Sequence, residues 1–239
     1  MPKYLDFNVK SEMYSKDKDF HLQNTYNNCV TELTAQQTKR DQTIAFYIAV
    51  ISFAIPSIID LKMGFSAKAA ALLVLFLLGC MLTRVIARYR VYKEVYWITC
   101  RTISQLYLFD QNRIDKDVLQ GVFYRTLRKN AGTVLVMDGQ GSEKINKWKT
   151  FRKIFQGAEA TLYLVMAGMS AGVLWISILL FFNFSWAGYA AATVLALADL
   201  FYWSRHYYKQ LTSVYYVVKG KDDPSFNAVY SKAWFLHYY

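Results

Sequence analysis

Residues 160–198 read ATLYLVMAGMSAGVLWISILLFFNFSWAGYAAATVLALA and contain no Asp, Glu, Lys, Arg or His. This stretch exceeds a single bilayer crossing, which needs roughly 20 apolar residues. Its midpoint, residues 183–188, combines turn-forming residues with Trp186, an aromatic residue suited to a headgroup interface. We therefore predict a transmembrane helical hairpin with spans at residues 159–182 and 186–204. The alternative is a buried hairpin of a soluble protein, in which so long an uncharged run is rare.

The composition fits a membrane protein with a substantial part outside the lipid. The chain has 239 residues, of which 54% are hydrophobic and 17% aromatic, and its net charge is +11. Residues 1–41 are polar, so we expect no signal peptide. Cys29, Cys80 and Cys100 lack metal-ligand spacing. This predicts reduced, structural cysteines, and we expect no metal site and no cofactor.

A first hairpin is predicted over residues 42–88, with spans at residues 42–59 and 69–88. Ala49, Ser52 and Pro56 fall on one face of the first span, and this face of small or weakly polar residues is our candidate pore lining. Pro56 is expected to kink the helix or end its last turn, because proline lacks the backbone N–H that the helix needs.

The four predicted spans divide the chain into five segments. A helical N-terminal arm is predicted at residues 1–41, a basic insert at residues 89–157, the second hairpin at residues 158–204 and an aromatic tail at residues 205–239. Lys and Arg outnumber Asp and Glu in the insert and in the tail, which places the arm, insert and tail in the cytoplasm. The predicted fold is an all-α integral membrane protein with four transmembrane helices as two hairpins and a mainly helical cytosolic domain.

The insert is predicted to be mostly helical. The second span should continue as a stalk over residues 84–106, because neither Gly nor Pro occurs between Gly79 and Gly121. Residues 110–112 predict a break, and residues 115–129 and 143–155 predict two further helices. The β-prone residues 133–137, followed by an Asp-Gly turn signal, predict a small hairpin or an ordered loop.

The sequence lacks the motifs of common enzyme chemistry. No HExxH, GxSxG, Walker or GxGxxG pattern occurs, and the three histidines are scattered. Asp138 and Glu143 are a possible carboxylate pair, but neighbouring carboxylates on a loop are usually solvated. We therefore predict a protein that is not an enzyme.

The basic insert suggests an anionic ligand. Lys and Arg bind phosphates, and interleaved aromatic residues stack on bases. Topology alone offers another explanation, because cytoplasmic segments are rich in Lys and Arg and attract anionic lipid. Trp148 is the predicted stacking residue. The candidate oligonucleotide-binding residues are Arg125, Arg128, Lys129, Lys144, Lys147, Trp148, Lys149, Arg152 and Lys153.

Polar and small residues in the second hairpin suggest two further hypotheses. Asp199 lies inside the fourth span, and an intramembrane carboxylate usually faces the bundle interior or a water path, which makes Asp199 the alternative pore residue. An ion pair with Arg205 or another arginine at the inner edge is the competing explanation. Close helix packing, within or between subunits, explains a GxxxG motif at Gly168 and Gly172 and a small-residue face at Gly188, Ala192 and Ala196.

Two hairpins around a basic insert, with a helical arm before them and an aromatic tail after them, resemble the SMODS-associating four-transmembrane effectors of bacterial anti-phage systems. Residues 23–101 are also similar to the related two-transmembrane effectors, in which an arm helix enters a span hairpin and an aromatic and basic helix, such as residues 89–106, follows. Such effectors are encoded beside nucleotidyltransferases that make cyclic or linear oligonucleotides. The resemblance implies a pore that depolarises the infected cell.

These features predict an oligomeric pore or ion channel in the bacterial inner membrane, with both termini in the cytoplasm. Its partners would be the lipid bilayer, further copies of itself, for example in a tetramer, and a nucleotide or short oligonucleotide made by a partner nucleotidyltransferase. The bound ligand would open the pore or hold it shut. The alternative function is a non-enzymatic membrane scaffold or a subunit of another membrane complex.

Overall fold

The computed structural model describes residues 18–109, 116–136 and 145–215. These residues form six α-helices and no strand, which confirms the all-α prediction for this part of the chain. The predicted break at residues 110–112, the Asp-Gly turn and most of the aromatic tail lie outside the described residues. The helices are α1 (Lys18–Asp60), α2 (Phe65–Phe109), α3 (Lys116–Val134), α4 (Lys147–Ile154), α5 (Ala158–Phe181) and α6 (Trp186–Ser213).

The two longest helices each join two predicted segments without a break. α1 contains the end of the predicted arm and the first predicted span, and it continues about one turn past Pro56 before it ends at Asp60. α2 runs from Phe65 to Phe109 and confirms that the helix of the second predicted span continues over residues 84–106. Uninterrupted helix follows from the absence of interior Gly and Pro beyond Gly79.

The prediction of a small hairpin or an ordered loop over residues 133–137 is wrong at Thr133 and Val134. α3 continues through both residues, and the side chains of Val134 and Leu135 are buried. The strand preference of β-branched residues is weak, so the burial of these apolar side chains outweighs it. α4 begins at Lys147, later than predicted, because the side chain of Asn146 caps it by accepting a hydrogen bond from the backbone N–H of Lys149 at 3.0 Å.

A tight turn joins α5 to α6 at the position that the sequence predicts. Asn183 and Phe184 have φ angles of 48° and 56°, in the left-handed region that asparagine tolerates and phenylalanine adopts under strain. The Ser185 hydroxyl accepts a hydrogen bond from the backbone N–H of Gly188 at 3.2 Å, which satisfies one of the unpaired donors at the start of α6.

The chain divides into two compact units, which we call the arm unit and the bundle unit. The arm unit comprises Met1–Gln36, Tyr92–Ile145 and Ser213–Tyr239, and the bundle unit comprises Gln37–Val91 and Asn146–Thr212. α3 therefore belongs to the arm unit, and α4 and α5 belong to the bundle unit. α1, α2 and α6 contribute residues to both.

Within the bundle unit, α2 and α5 run in opposite directions. The Ser177 hydroxyl donates to the carbonyl of Ala69 at 2.8 Å, and the Ser170 hydroxyl donates to the carbonyl of Phe76 at 3.4 Å. Higher residue numbers on α2 thus pair with lower residue numbers on α5, as in an antiparallel pair of helices. Serine hydroxyls that bond across helices in this way are a common means of joining membrane helices.

α5 and α6 are antiparallel as well, as a hairpin requires. The indole N–H of Trp175 donates to the Thr193 hydroxyl at 3.4 Å, and the Tyr163 hydroxyl donates to the carbonyl of Trp203 at 3.0 Å. Because α5 is antiparallel to both α2 and α6, those two helices run in the same direction. Residues at equal distances from the start of each can therefore lie side by side.

The outer surface of the bundle unit is apolar. Phe53, Met81 and Phe201 are 77%, 68% and 68% exposed, as expected for side chains that face lipid. By length and hydropathy, three of the described helices can cross a membrane, and the fold thus indicates a helical membrane protein. α6 is not among them, because Asp199 and the Tyr and Trp side chains of this helix lower its mean hydropathy. The three apolar stretches are Leu22–Asp60, Phe65–Leu106 and Ala158–Phe181.

Candidate functional site

One carboxylate joins three helices at one end of the bundle unit. Glu159, in the first turn of α5, lies 3.4 Å from a guanidinium nitrogen of Arg40 on α1 and 3.1 Å from the Nε of Arg90 on α2. A carboxylate is also favoured there by the positive end of the α5 dipole. The three charged residues therefore lie at one level, where the apolar parts of their helices begin or end.

Aromatic residues lie at the opposite end of the bundle unit. The rings of Phe65 and Phe184 meet edge to face with centroids 6.4 Å apart, and Trp186 is 91% exposed. From Glu159 to Phe181, α5 rises roughly 33 Å at 1.5 Å per residue. This distance matches a hydrocarbon core of about 30 Å, with a charged belt at one edge and an aromatic belt at the other.

Asp199 is the single Asp, Glu, Lys or Arg within residues 42–59, 69–83, 160–182 and 186–204. Its Oδ1 accepts a hydrogen bond from the indole N–H of Trp203 at 3.0 Å. Its Oδ2 is buried and has no hydrogen-bond partner among the described residues. The carboxyl group lies close to Cys80 of α2 and Tyr163 of α5, so it faces the interior of its own bundle.

The predicted ion pair between Asp199 and an inner-edge arginine is not formed among the described residues. Instead, the carboxylate is bonded by the indole N–H of Trp203, one turn further along α6. The Tyr163 hydroxyl in turn donates to the backbone carbonyl of Trp203, so α5 also bonds the backbone of the residue that pairs with Asp199. Such a polar group inside a membrane bundle is costly unless it is bonded, and it marks a position of functional interest.

Gly79 lies at a close crossing of helices. A Cβ atom at this position would lie 2.7 Å from the Ser170 hydroxyl of α5 and 2.8 Å from the Cζ of Tyr47 of α1. The Tyr47 side chain is fully buried, and its hydroxyl donates to the carbonyl of Leu75 at 3.3 Å. α1, α2 and α5 therefore meet at a point where α2 has room only for a hydrogen atom.

The candidate pore residues of α1 lie on its open face. Ala49, Ser52 and Pro56 are exposed. The opposite face packs inward: Tyr47 is fully buried, and Ile51, Ile55 and Ile58 pack against the buried cluster of Ala69, Leu72, Val173 and Leu180. The small residues of α1 are thus available to a second subunit or to a water path.

The GxxxG motif of α5 is also open within one subunit. A Cβ atom at Gly168 or Gly172 would meet no atom within 4 Å. By contrast, the small face of α6 is used inside the hairpin, because Gly188 is buried against Phe182 and Ala192 is fully buried. Of the two small-residue motifs in the second hairpin, only that of α5 remains free to pack against another helix.

α4 brings five of the predicted ligand residues together. Thr150 and Ile154 are buried and hold the helix against the bundle unit, and Trp148 is 68% exposed. Lys147, Lys149 and Arg152 are exposed as well, whereas Lys153 is half-buried. The helix is therefore amphipathic, with a basic and aromatic outer face.

An aromatic ladder anchors this short helix. The rings of Trp148 and Phe151 are parallel within 5° with centroids 6.0 Å apart, and Phe151 lies 5.9 Å from the ring of Tyr208 on α6. Phe155 lies 5.6 Å from Tyr207. Each such pair contributes about 0.5–1.5 kcal/mol beyond the burial of its surface. α4 is thereby fixed on α6 just before the chain turns into α5.

The other predicted ligand residues lie on α3, in the arm unit. Arg125, Arg128 and Lys129 are exposed, and Lys144 lies outside the described residues. The buried face of α3 is polar in part: the Thr126 hydroxyl donates to the amide oxygen of Gln105 at 2.7 Å. The three cations thus share the outer face of one helix.

A buried contact of the arm unit has no signal in the sequence. The Tyr215 hydroxyl, just after α6, donates to a carboxylate oxygen of Glu94 on α2. Tyr215 is fully buried and Glu94 is 6% exposed. The two residues are so distant in sequence that neither periodicity nor motif spacing could have paired them.

Among the described residues, no group of three or more His, Cys, Asp or Glu side chains could hold a metal ion. In comparisons with known proteins, the chain matches no family profile, no curated protein and no solved structure.

Proposed function

We propose that this protein is a membrane effector of bacterial anti-phage defence, which forms an oligomeric pore in the inner membrane. A nucleotide or oligonucleotide second messenger, bound to its basic cytosolic surface, opens the pore or holds it shut. The observation that carries the ligand-binding part is the exposed basic and aromatic face of α4, fixed directly before a membrane-length helix. The link to defence comes from the resemblance in architecture described above.

The proposal includes α6 as a fourth span. α6 pairs with α5 along its length, from the Trp175–Thr193 hydrogen bond to the Tyr163–Trp203 hydrogen bond. Asp199, which lowers the hydropathy of α6, has its carboxyl group turned toward the bundle interior. Four spans also return the chain to the side from which it started, in agreement with the basic insert and tail.

The α4–α5 connection provides a mechanism. Only residues 155–157 separate the end of α4 from the start of α5. A ligand that binds α4 better in one state of the bundle than in the other shifts the population toward that state. Glu159 would carry the shift further, because it contacts both Arg40 and Arg90. The movement of one short helix would thus reach three membrane helices.

The conducting path is proposed to lie between subunits. Within one bundle the interior is filled by side chains such as Tyr47, Leu72 and Met166, all fully buried. A symmetric ring of subunits would instead enclose an axis. The open faces at Ala49, Ser52 and Pro56 on α1 and at the GxxxG motif of α5 are the candidate surfaces for the lining and for the subunit contacts.

Charge reversal on α4 tests the ligand proposal. The double variant Lys149→Glu/Arg152→Glu should lower the affinity for short cyclic and linear oligonucleotides at least tenfold and reduce the log–log salt slope of binding by about two. Trp148→Ala should cost roughly 1–3 kcal/mol of binding free energy if the indole stacks on a base. Binding is measured by fluorescence anisotropy, and gating by ion flux into liposomes that contain the same variants.

The matched control is Lys39→Glu/Lys62→Glu, which makes the same change in net charge at two exposed lysines outside α3 and α4. It should leave binding unchanged. If Lys149→Glu/Arg152→Glu retains the affinity and salt slope of the wild type, as the control should, the α4 cations serve only topology. The membrane-scaffold function then replaces the channel.

Topology is tested by labelling of introduced cysteines on intact cells with a membrane-impermeant maleimide. Cysteines placed at Lys62 and Ser185, both exposed, should react from outside, whereas one placed at Lys129 should react only after permeabilisation. The native background should be low in the arm unit, because burial and the neighbouring Cys100 thiol raise the pKa of Cys29 to about 11. Fewer thiolates are then present at neutral pH, and the reaction is slow. Labelling at Lys129 in sealed cells would contradict the proposed topology.

A further inference from the structure

α2 and α6 run side by side in register. The Cys80 thiol of α2 contacts the Trp203 side chain of α6 and lies close to Asp199. Because the two helices run in the same direction, the next turn of each also lies at one level. One turn beyond Cys80 is Arg84, and one turn beyond Trp203 is His206. A further turn leads to Arg88 on α2 and to Lys209 on α6.

Three cations converge on His206. Burial lowers the pKa of the His206 imidazole, and Arg84, Arg88 and Lys209 lower it further by charge repulsion. The imidazole is half-buried and lies nearly parallel to the ring of Tyr202, with centroids 6.2 Å apart. The side chains of all three cations are exposed. None of them takes part in the ion pairs of the described residues.

Such a group of like charges attracts an anion. Like charges one helical turn apart destabilise a helix, and here the pair Arg84/Arg88 faces a third cation on the neighbouring helix. The contrast with Arg40 and Arg90 is informative, because the carboxylate of Glu159 lies between those two arginines. No carboxylate of the described residues forms an ion pair with Arg84, Arg88 or Lys209, so these three side chains are open to an anionic ligand.

The surroundings of the group indicate what kind of anion binds. Phe201 and Tyr202, one turn before His206, are 68% and 59% exposed at the end of the apolar surface of α6. An amphiphile could lay its acyl chain along these rings while its phosphate reaches the cations. Basic pockets between membrane helices on the cytoplasmic side are typical sites for anionic headgroups.

We infer that Arg84, Arg88 and Lys209 form a site, beside His206, for the phosphate of an anionic lipid headgroup. The site rests on the membrane-spanning arrangement proposed above and goes beyond the nucleotide proposal, because it uses no residue of α3 or α4. A lipid in this site would join the inner ends of α2 and α6.

The test is native mass spectrometry of the full chain in a non-ionic detergent, titrated with phosphatidylglycerol and, separately, with phosphatidylcholine. The wild type should bind phosphatidylglycerol more tightly than phosphatidylcholine by roughly tenfold or more. Arg84→Gln/Arg88→Gln/Lys209→Gln should abolish this preference. Arg84→Lys/Arg88→Lys should retain most of it, because the charges remain. The matched control is Arg125→Gln/Arg128→Gln/Lys129→Gln, which removes three exposed cations from α3.

Two results would overturn the site. One is an equal loss of phosphatidylglycerol binding in both triple variants, which would mean a response to net charge. The other is displacement of bound phosphatidylglycerol by micromolar inorganic pyrophosphate, which would assign the cations to a soluble phosphate instead of a lipid. The nucleotide proposal is judged separately by oligonucleotide binding. The variant at Arg84, Arg88 and Lys209 should weaken lipid binding only, and the variant at Arg125, Arg128 and Lys129 should weaken oligonucleotide binding only.

Discussion

Replacing Gly79 with alanine should destabilise the bundle unit by about 1–3 kcal/mol, the usual cost of placing an extra carbon in a packed interior. The new Cβ would lie 2.7 Å from the Ser170 hydroxyl and 2.8 Å from the Cζ of Tyr47. Tyr47 cannot easily move, because it is fully buried between α1 and α2 and its hydroxyl is bonded to the carbonyl of Leu75. Thermal unfolding in detergent, followed by circular dichroism, measures the loss.

Gly168→Ala and Gly172→Ala are the matched controls for Gly79→Ala. All three changes add one methyl group to a helical glycine, but nothing lies within 4 Å of the new atom at Gly168 or Gly172. These two variants should therefore unfold like the wild type. If subunits associate through the GxxxG face, they should instead weaken the oligomer in size-exclusion chromatography with light scattering. Equal unfolding temperatures for Gly79→Ala and Gly168→Ala would contradict the close crossing at Gly79.

Replacing Tyr215 with phenylalanine should destabilise the arm unit by about 1.5–3 kcal/mol, the contribution of a hydrogen bond to a charged group. The Tyr215 hydroxyl donates to the carboxylate of Glu94, and both side chains are buried, so water cannot replace the lost donor. The effect should appear as faster amide hydrogen exchange in residues 92–106 and as a lower unfolding temperature.

Tyr26→Phe is the control for Tyr215→Phe, because Tyr26 is 37% exposed. Water can therefore solvate any polar group that loses the Tyr26 hydroxyl as a neighbour. This variant should change stability by less than about 0.5 kcal/mol. A second variant, Glu94→Gln, keeps an oxygen acceptor for Tyr215 and removes the charge, so it should cost less than Glu94→Ala. If Tyr215→Phe and Tyr26→Phe exchange and unfold alike, the buried contact does not stabilise the arm unit.

The helical hairpin of α5 and α6 was predictable from local sequence. The uncharged run is long enough for two crossings and is interrupted by Asn183 and its neighbours. Two helices joined by a turn are the arrangement in which such a run can satisfy its backbone hydrogen bonds in lipid. The continuous α2 was predictable for a similar reason, because its stalk contains no residue that breaks a helix. The amphipathic character of α4 was visible in its spacing of basic and aromatic residues, although Asn146 moved its start.

Contacts between helices were decided by tertiary structure. The sequence drew attention to the GxxxG motif of Gly168 and Gly172, yet the close crossing occurs at Gly79, an isolated glycine, because Tyr47 and Ser170 meet there. A small hairpin or an ordered loop at Thr133 and Val134 was a reasonable prediction from propensity, and burial of the helical face of α3 overrode it.

The charged groups show the same division. The sequence by itself determined that Asp199 is the lone carboxylate within the apolar runs, and that basic residues flank those runs. Only the tertiary structure decided that Trp203 bonds Asp199, that Glu159 lies between Arg40 and Arg90, and that Arg84, Arg88 and Lys209 converge on His206. The physical reason is that periodicity describes one helix at a time, whereas the partner of a charge depends on the register between helices, which packing sets.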